Sequence, residues 1–323
     1  MKHNFKPNFL LSNKHIQTTY ASLFRKIPLH NFYIEKFILS DGDFVDCYWY
    51  EEHKLTNKPL VILFHGLAGS YKSPYILGLM QELNKQGHNS VLMHFRSCSG
   101  VMNTKPISYH SGKTDDAKEY ILSIIDRFPN TKLFSVGFSL GANMMLKLLG
   151  ELGSESPFIA SVSVSAPIKL AIGSDRINTG LSKYYQKYLL KNLNELLLKK
   201  YDTHDIESLI GLKKEDVKKL SSFWEFDGAY TAPIHGFKSA QDYYDKSSAI
   251  NYLKLIQTPT LIIHAKDDPF MPPQILPNKD EISKNIELNI YENGGHVGFV
   301  HGCIFKPKYF LEERISSYFQ EFK

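Results

Sequence analysis

The chain has 323 residues, 43% of them hydrophobic and 22% charged, which is the balance of an ordinary globular protein long enough to bury a core without disulfide or metal staples. Its net charge of +5 comes from scattered lysines; the densest spots, Lys199-Lys200 and Lys213-Lys214, lie in helical patterns among Asp and Glu, as on a solvated helix face, so no nucleic-acid partner is expected. Three cysteines (Cys47, Cys98 and Cys303) with no CxxC pair argue against a disulfide framework or a zinc site and suit a reducing, cytoplasmic location with no metal.

The N-terminus has no apolar segment followed by a small-residue cleavage site, so no secretory signal is expected. No apolar run reaches about 18 residues, the length a membrane span needs. That test leaves peripheral membrane contact open, and a monomer is the default. Strand-forming runs over Phe32–Leu39 and Phe44–Tyr50 are joined by Ser40-Asp41-Gly42-Asp43, a hairpin signal. Pro59–Phe64 is a short continuous apolar run, suited to a central strand covered on both faces. A helix should begin at Pro74 with Ser73 as its N-cap. Ser90–Phe95 reads as a strand, and Asp115–Phe128 as a helix from the spacing of Ala117, Tyr120, Ile121, Ile124 and Ile125. Strand Lys132–Val136, helix Leu140–Gly150 and strand Ala160–Ser165 continue the alternation, which predicts an α/β fold with a mainly parallel sheet and an antiparallel N-terminal hairpin.

Over 167–252 the alternation stops, and only helical patterns are found, one of them marked by Leu189, Leu190, Leu193, Leu196 and Leu197 and another by Val217 and Leu220. This stretch reads as a helical cap inserted over the sheet's C-terminal edge, dividing the chain into a core (1–166 and 253–323) and a cap (167–252). Strands over Pro259–His264 and Ile286–Tyr291 and a closing helix over Lys308–Phe319 complete the core.

The sharpest chemical signal is Gly137-Phe138-Ser139-Leu140-Gly141, set between a strand and a helix. In such a nucleophile elbow the turn is so tight that the residues two before and two after the serine must be small, hence Gly137 and Gly141. The serine is held above the sheet edge, and the N-terminus of the next helix favours a developing oxyanion. A serine nucleophile needs a base, and His296, in Gly294-Gly295-His296 after the last strand, is placed to return over the same edge. The base needs an orienting carboxylate. Asp267 and Asp268 follow the strand ending at His264, and the chain order Ser, Asp, His is one that such an elbow uses. One imidazole takes only one of them. Asp268 is preferred, because the acid often stands a few residues before a proline, here Pro272; Asp267 is then a loop-structuring residue. The turn His65-Gly66-Leu67 supplies the second oxyanion donor: Gly66 allows close backbone approach, and the N–H groups of Leu67 and Leu140 would form the hole. His65 reads as structural. Arg96, in Arg96-Ser97-Cys98-Ser99-Gly100, reads as a loop anchor to carbonyls or a carboxylate, and Cys98 as a small buried residue.

With these residues in place, the chain resembles the YheT-like branch of the α/β-hydrolases, which includes lipid-handling eukaryotic hydrolases. The likeness runs through Asn13-Lys14-His15-Ile16-Gln17-Thr18, the His65 turn, Phe95–Gly100 and the elbow with Ala142-Asn143. It continues through Phe226-Asp227, Thr231-Ala232-Pro233, Gly236-Phe237, Tyr243-Tyr244, Ser247-Ser248, Asp267–Phe270 and Gly294–His296. One departure is Ser97, where the family usually has glycine. The resemblance implies an α/β-hydrolase fold and an esterase or lipase-like activity without a cofactor, and leaves the substrate open. The mechanism so implied is acyl transfer through a covalent intermediate on Ser139. Apolar cap residues (Leu196, Leu197, Phe223, Trp224) among lysines suit an acyl chain or an anionic lipid, and suit equally well a cap's own core and wet face. Two rivals stay open: an acyltransferase using the same three residues, and a non-catalytic binding protein on the same scaffold.

Overall fold

The computed structural model describes residues 4–50 and 58–322. The first long element is a helix, α1 (Lys14–Phe24), capped by Asn13, whose Oδ1 accepts the N–H groups of His15 and Ile16 at 2.9 and 3.3 Å. Apolar periodicity does not announce it: of its two buried residues, Gln17 and Tyr20, one is fully polar, and Ile16, Leu23 and Phe24 are exposed. The sheet then opens with β1 (Tyr33–Ile38) and β2 (Phe44–Trp49) and continues through β3 (Leu60–Phe64), β4 (Asn89–Met93), β5 (Leu133–Phe138), β6 (Phe158–Val164), β7 (Thr260–Ala265) and β8 (Ile286–Tyr291). These eight strands pair in the order β1-β2-β4-β3-β5-β6-β7-β8. The pairs β1–β2 and β2–β4 are antiparallel and the rest are parallel.

Every residue of β3 is buried, because both faces of the sheet are covered. Val61 and Leu63 share a core with Leu79 and Leu83 of α2 (Pro74–Lys85) and with Ile315 and Phe319 of the closing helix Phe310–Gln320. Ile62 and Phe64, on the opposite face, pack in a second core with Ile121 and Ile124 of α3 (Asp115–Arg127) and Met145 and Leu149 of α4 (Leu140–Leu152). Two expectations need correction. Ser73 precedes Pro74 as predicted, but its hydroxyl accepts the Ser70 N–H at 3.1 Å and caps no helix N–H. The closing helix starts at Phe310, because the chain before it pairs in a small antiparallel hairpin, β9 (Val300–Cys303) with β10 (Lys306–Tyr309).

Between β6 and β7 the described residues form helical elements only, including α5 (Leu170–Ile177) and α6 (Ser182–Lys200). They carry an apolar cluster of their own, in which Leu190 and Leu197 of α6 meet Ile206, Val217, Phe226 and Tyr230. Lys200 ties this layer to the loop between β4 and α3. Its buried ammonium donates to Asn103 Oδ1 and to the carbonyls of Lys105 and Ile107 at 2.7, 2.9 and 3.1 Å. Burial lowers its pKa to about 8.

Arg96 is the main electrostatic tie of the sheet's C-terminal edge. Its guanidinium forks onto Asp116 with two bonds of 2.7 Å and reaches Asp41 and Asp43 at 2.8 and 2.9 Å, joining the β1–β2 turn, the loop after β4 and the start of α3. Burial works against the Asp43 carboxylate, but bonds from Asn103 and Thr104 outweigh it and hold the carboxyl at about 2. Ser97 has φ 67°, and its hydroxyl donates to Asn103 Oδ1 at 2.6 Å, so a local bond secures a left-handed turn. Arg96→Met would strand the buried carboxylates of Asp43 and Asp116. Urea unfolding should show a loss of roughly 3–5 kcal/mol, and Arg96→Lys should restore little of it, because an ammonium cannot fork.

Candidate active site

The elbow is built from close packing. Ser139, between β5 and α4, adopts φ 51° and ψ −118°, a strained conformation for a residue with a side chain. Its N–H donates to the Val164 carbonyl at 2.9 Å, fixing the turn to β6. A Cβ at Gly137 would stand 2.6 Å from Ala142 Cα, and one at Gly141 would stand 2.7 Å from the Phe64 carbonyl oxygen. Neither position has room for a methyl group. The reason for the two glycines is therefore packing against backbone.

His296 lies on a loop with several left-handed residues: Gly295 at φ 58°, Val297 at 56° and Phe299 at 48°. The loop is pinned mainly from the N-terminus. Thr18 Oγ1 accepts the His296 N–H at 3.0 Å. Gln17 grips Val300 from both sides, accepting its N–H at 2.7 Å and donating to its carbonyl at 2.8 Å. A Cβ at Gly295 would stand 2.6 Å from the Lys14 carbonyl oxygen, so α1 lies directly on the loop. Ser165, at the end of β6, accepts the Val297 N–H at 3.2 Å. Gln17, Thr18 and Ser165 were not singled out as site residues from sequence; the motif around Gln17 and Thr18 was the available signal.

The imidazole joins two partners. Its Nδ1 lies 2.8 Å from Asp268 Oδ2 and its Nε2 lies 2.9 Å from Ser139 Oγ. A carboxylate only accepts, so Nδ1–H is the donor and Nε2 is left to accept the Ser139 hydroxyl. The other oxygen of Asp268 accepts the Phe270 N–H at 2.8 Å, and the Asp268 side chain is fully buried. Phe270 in turn stacks on the imidazole, with centroids 4.2 Å apart and planes at 24°. Asp267 points elsewhere: it accepts the Gly295 N–H at 2.9 Å and lies 3.4 Å from Asn293 Nδ2. Burial raises its pKa.

The loop after β3 lies against the serine, since a Cβ at Gly66 would stand 3.2 Å from Ser139 Cβ. In this turn Gly66 N–H donates to Tyr75 Oη, Ala68 N–H to Tyr109 Oη and Gly69 N–H to Gly66 O, at 3.0, 3.1 and 2.9 Å. No acceptor among the described residues takes the Leu67 N–H. Leu140 is the first residue of α4, so its N–H has no partner within the helix. His65 is buried beneath the turn. Its Nδ1 lies 2.7 Å from Gly66 O, and its Nε2 accepts the Phe95 N–H at 3.2 Å. Burial lowers its pKa to about 4, so it is a neutral tie between the loops after β3 and β4. Arg96 is engaged with its carboxylates, and the half-buried Cys98 has its thiol pushed up to about 12 by burial.

Ser139 and His296 face a cavity of about 650 Å³. Leu23 of α1 lines one wall, and Leu189, Leu193 and Phe223 line another. Asp227 is a polar exception. Burial raises its carboxyl to about 6, and Tyr244 Oη donates to it at 2.7 Å. Of the apolar residues singled out between β6 and β7, Phe223 lines the cavity, Leu197 packs within the helical layer, and Trp224 packs on Tyr244 and donates to Asp175 at 2.7 Å.

Comparison with known proteins agrees with this architecture. A family model described as alpha/beta hydrolase fold matches residues 59–302. The chain is 41% identical over 312 residues to the Escherichia coli (strain K12) protein named "Putative esterase YheT", covering 96% of this chain and 91% of that one. It is 32% identical over 251 residues to a monoacylglycerol lipase of Saccharomyces cerevisiae, covering 75% of this chain and 55% of the relative. Among solved structures, the Pyrococcus furiosus esterase Pf2001 superposes with a TM-score of 0.57 at 15% identity, over 91% of each chain, a likeness of fold. No helix among the described residues is long and apolar enough to cross a membrane. The chain therefore belongs to the α/β-hydrolase fold family, and within it to the esterase- and lipase-type branch typified by YheT.

Proposed function

We propose that the protein hydrolyses carboxylic esters with an apolar acyl chain, using Ser139 as nucleophile, His296 as general base and Asp268 as the orienting acid. The observation that carries this reading is the unbroken relay of 2.9 and 2.8 Å from Ser139 through His296 to Asp268, set at an apolar cavity. In the proposed reaction the Ser139 hydroxyl attacks the ester carbonyl and passes its proton to His296 Nε2. Asp268 holds the tautomer that leaves Nε2 free to receive it and stabilises the imidazolium. The N–H groups of Leu67 and Leu140 receive the charge that develops on the carbonyl oxygen, a contribution worth roughly 3 kcal/mol per donor in comparable sites. His296 then protonates the departing alcohol, and water, activated by the same imidazole, releases the acid.

Residues 167–252 act in this reading as a cap that selects the acyl group, because Leu189, Leu193 and Phe223 come from that stretch and face the same cavity as Ser139. The names carried by relatives, esterase and monoacylglycerol lipase, support the ester class.

On a series of soluble nitrophenyl esters, kcat/KM should rise with acyl length by up to about fourfold per methylene, the equivalent of about 0.8 kcal/mol each. Ser139→Ala should lose at least about a thousandfold of kcat. Equal turnover by wild type and Ser139→Ala would end the proposal. The two neighbouring acids should separate cleanly. Asp268→Asn should lower kcat by about 10⁴ with little change in KM. Asp267→Asn should cost thermal stability through the loop at Gly295 and leave kcat within about tenfold of wild type. The reverse ranking would move the acid to Asp267.

A further inference from the structure

The mouth of the cavity lies between α1 and α6. Leu23 of α1 and Tyr188 of α6 both line it and are both 68% exposed, so one surface of each faces the cavity and another faces solvent. His15, near the start of α1, holds the two helices together, its Nδ1 lying 3.1 Å from Tyr185 Oη with the rings stacked. The apolar surface extends outward from this mouth. Phe24, the next residue of α1, is exposed beside Leu23 with its ring against Tyr20, centroids 5.3 Å apart. Leu181, just before α6, and Tyr184 share a helix face with Tyr188 at spacings of three and four residues. All five of these side chains are between 62% and 74% exposed. Five large apolar and aromatic side chains exposed on the two helices that flank one opening mark an interaction surface.

Charge decides which partner. Asp and Glu make up 33 of the 323 residues, about one in ten, yet neither occurs in the first 34 residues or anywhere from Arg176 to Asn194. Over the same stretches the described residues carry exposed Lys26, Lys183, Lys187 and Lys191. Lys187 and Lys191 lie on the same helix face as Tyr184 and Tyr188, and Lys191 has only a loose ion pair with Glu195 at 3.8 Å. Arg25 is taken up by Glu312, and Arg176 donates to Thr179 Oγ1 at 2.9 Å, while the four lysines are exposed. Apolar and tyrosine side chains within a lysine-rich field are the composition of a surface that sits in the headgroup layer of an anionic bilayer, tyrosine and lysine reaching the interface while leucine and phenylalanine enter it. A second copy of this chain would bring the same positive field to itself and be repelled.

We infer that the α1–α6 mouth docks on an anionic lipid surface, so that an ester enters the cavity directly from the bilayer. The inference deepens the proposed ester hydrolysis by naming where the substrate is met. Its test is therefore run on binding as well as turnover. The full chain carrying Ser139→Ala is sedimented with vesicles of phosphatidylcholine, with or without phosphatidylglycerol. It should bind the anionic vesicles, bind the neutral ones at least about tenfold more weakly, and be released by salt. Adding Phe24→Ser and Tyr184→Ser, two exposed residues outside the cavity lining, should lower anionic-vesicle binding about tenfold or more. With Ser139 intact, the same pair should leave the turnover of a soluble short-chain ester and the circular dichroism spectrum unchanged. A protein that stays in the supernatant with anionic vesicles overturns the inference. So does equal binding by the Phe24/Tyr184 variant, and so does a dimer in solution that this variant dissociates. Vesicle binding without turnover of any ester would keep the docking surface and remove the proposed activity.

Discussion

The structure turns on a single tight corner. Ser139 can stand above the sheet only if the chain reverses between β5 and α4 within one residue of left-handed backbone, and that reversal brings the flanking residues into contact with backbone on both sides. Gly137 meets α4 and Gly141 meets the end of β3, so the corner also sets how closely helix and sheet approach. The same packing places the turn after β3 against Ser139 and starts α4 at Leu140, which aims a helix N-terminus at the serine. The strain is sustained by the fully buried strands β3 and β5 around it.

The proposed base is held from a different direction. The His296 loop is left-handed at Gly295, Val297 and Phe299 and makes its supporting bonds to α1 and to the end of β6. Residues more than 270 positions apart in sequence thus set the imidazole, as the Thr18–His296 bond spans 278. This arrangement gives α1 two duties. It positions the His296 loop through Gln17 and Thr18, and it presents Leu23 to the cavity. A surface bound at the mouth would touch the helix that orients the imidazole.

Much of this was legible in the residues because local physics forces it. The continuous apolar run of β3, the helical spacing of α3 and the glycine-flanked serine each have few structural solutions, and the mainly parallel sheet with its antiparallel N-terminal hairpin follows from the alternation of such elements. What was not legible depends on contacts distant in sequence. Helix α1 buries Gln17 and Tyr20 and exposes Leu23 and Phe24, so its pattern runs against the usual rule for an amphipathic helix. The β9–β10 hairpin took the start of the closing helix because Lys306–Tyr309 pairs with Val300–Cys303, a pairing with no strong turn signal of its own. Ser73 followed the rule for a cap, yet its hydroxyl was claimed by a nearer loop donor. Arg96 was legible as a loop anchor but its three carboxylates were not, and Lys200 was visible only as a basic residue; their acceptors come from segments brought together by the fold.

The central claim is that Ser139 is an activated nucleophile, and covalent capture tests it most directly. The purified protein, treated with a fluorophosphonate and digested, should carry the phosphonyl group on the peptide containing Ser139, at a rate lowered strongly by His296→Ala and with no adduct in Ser139→Ala. A folded protein that remains unlabelled, or is labelled at another serine while Ser139 stays free, would contradict the account.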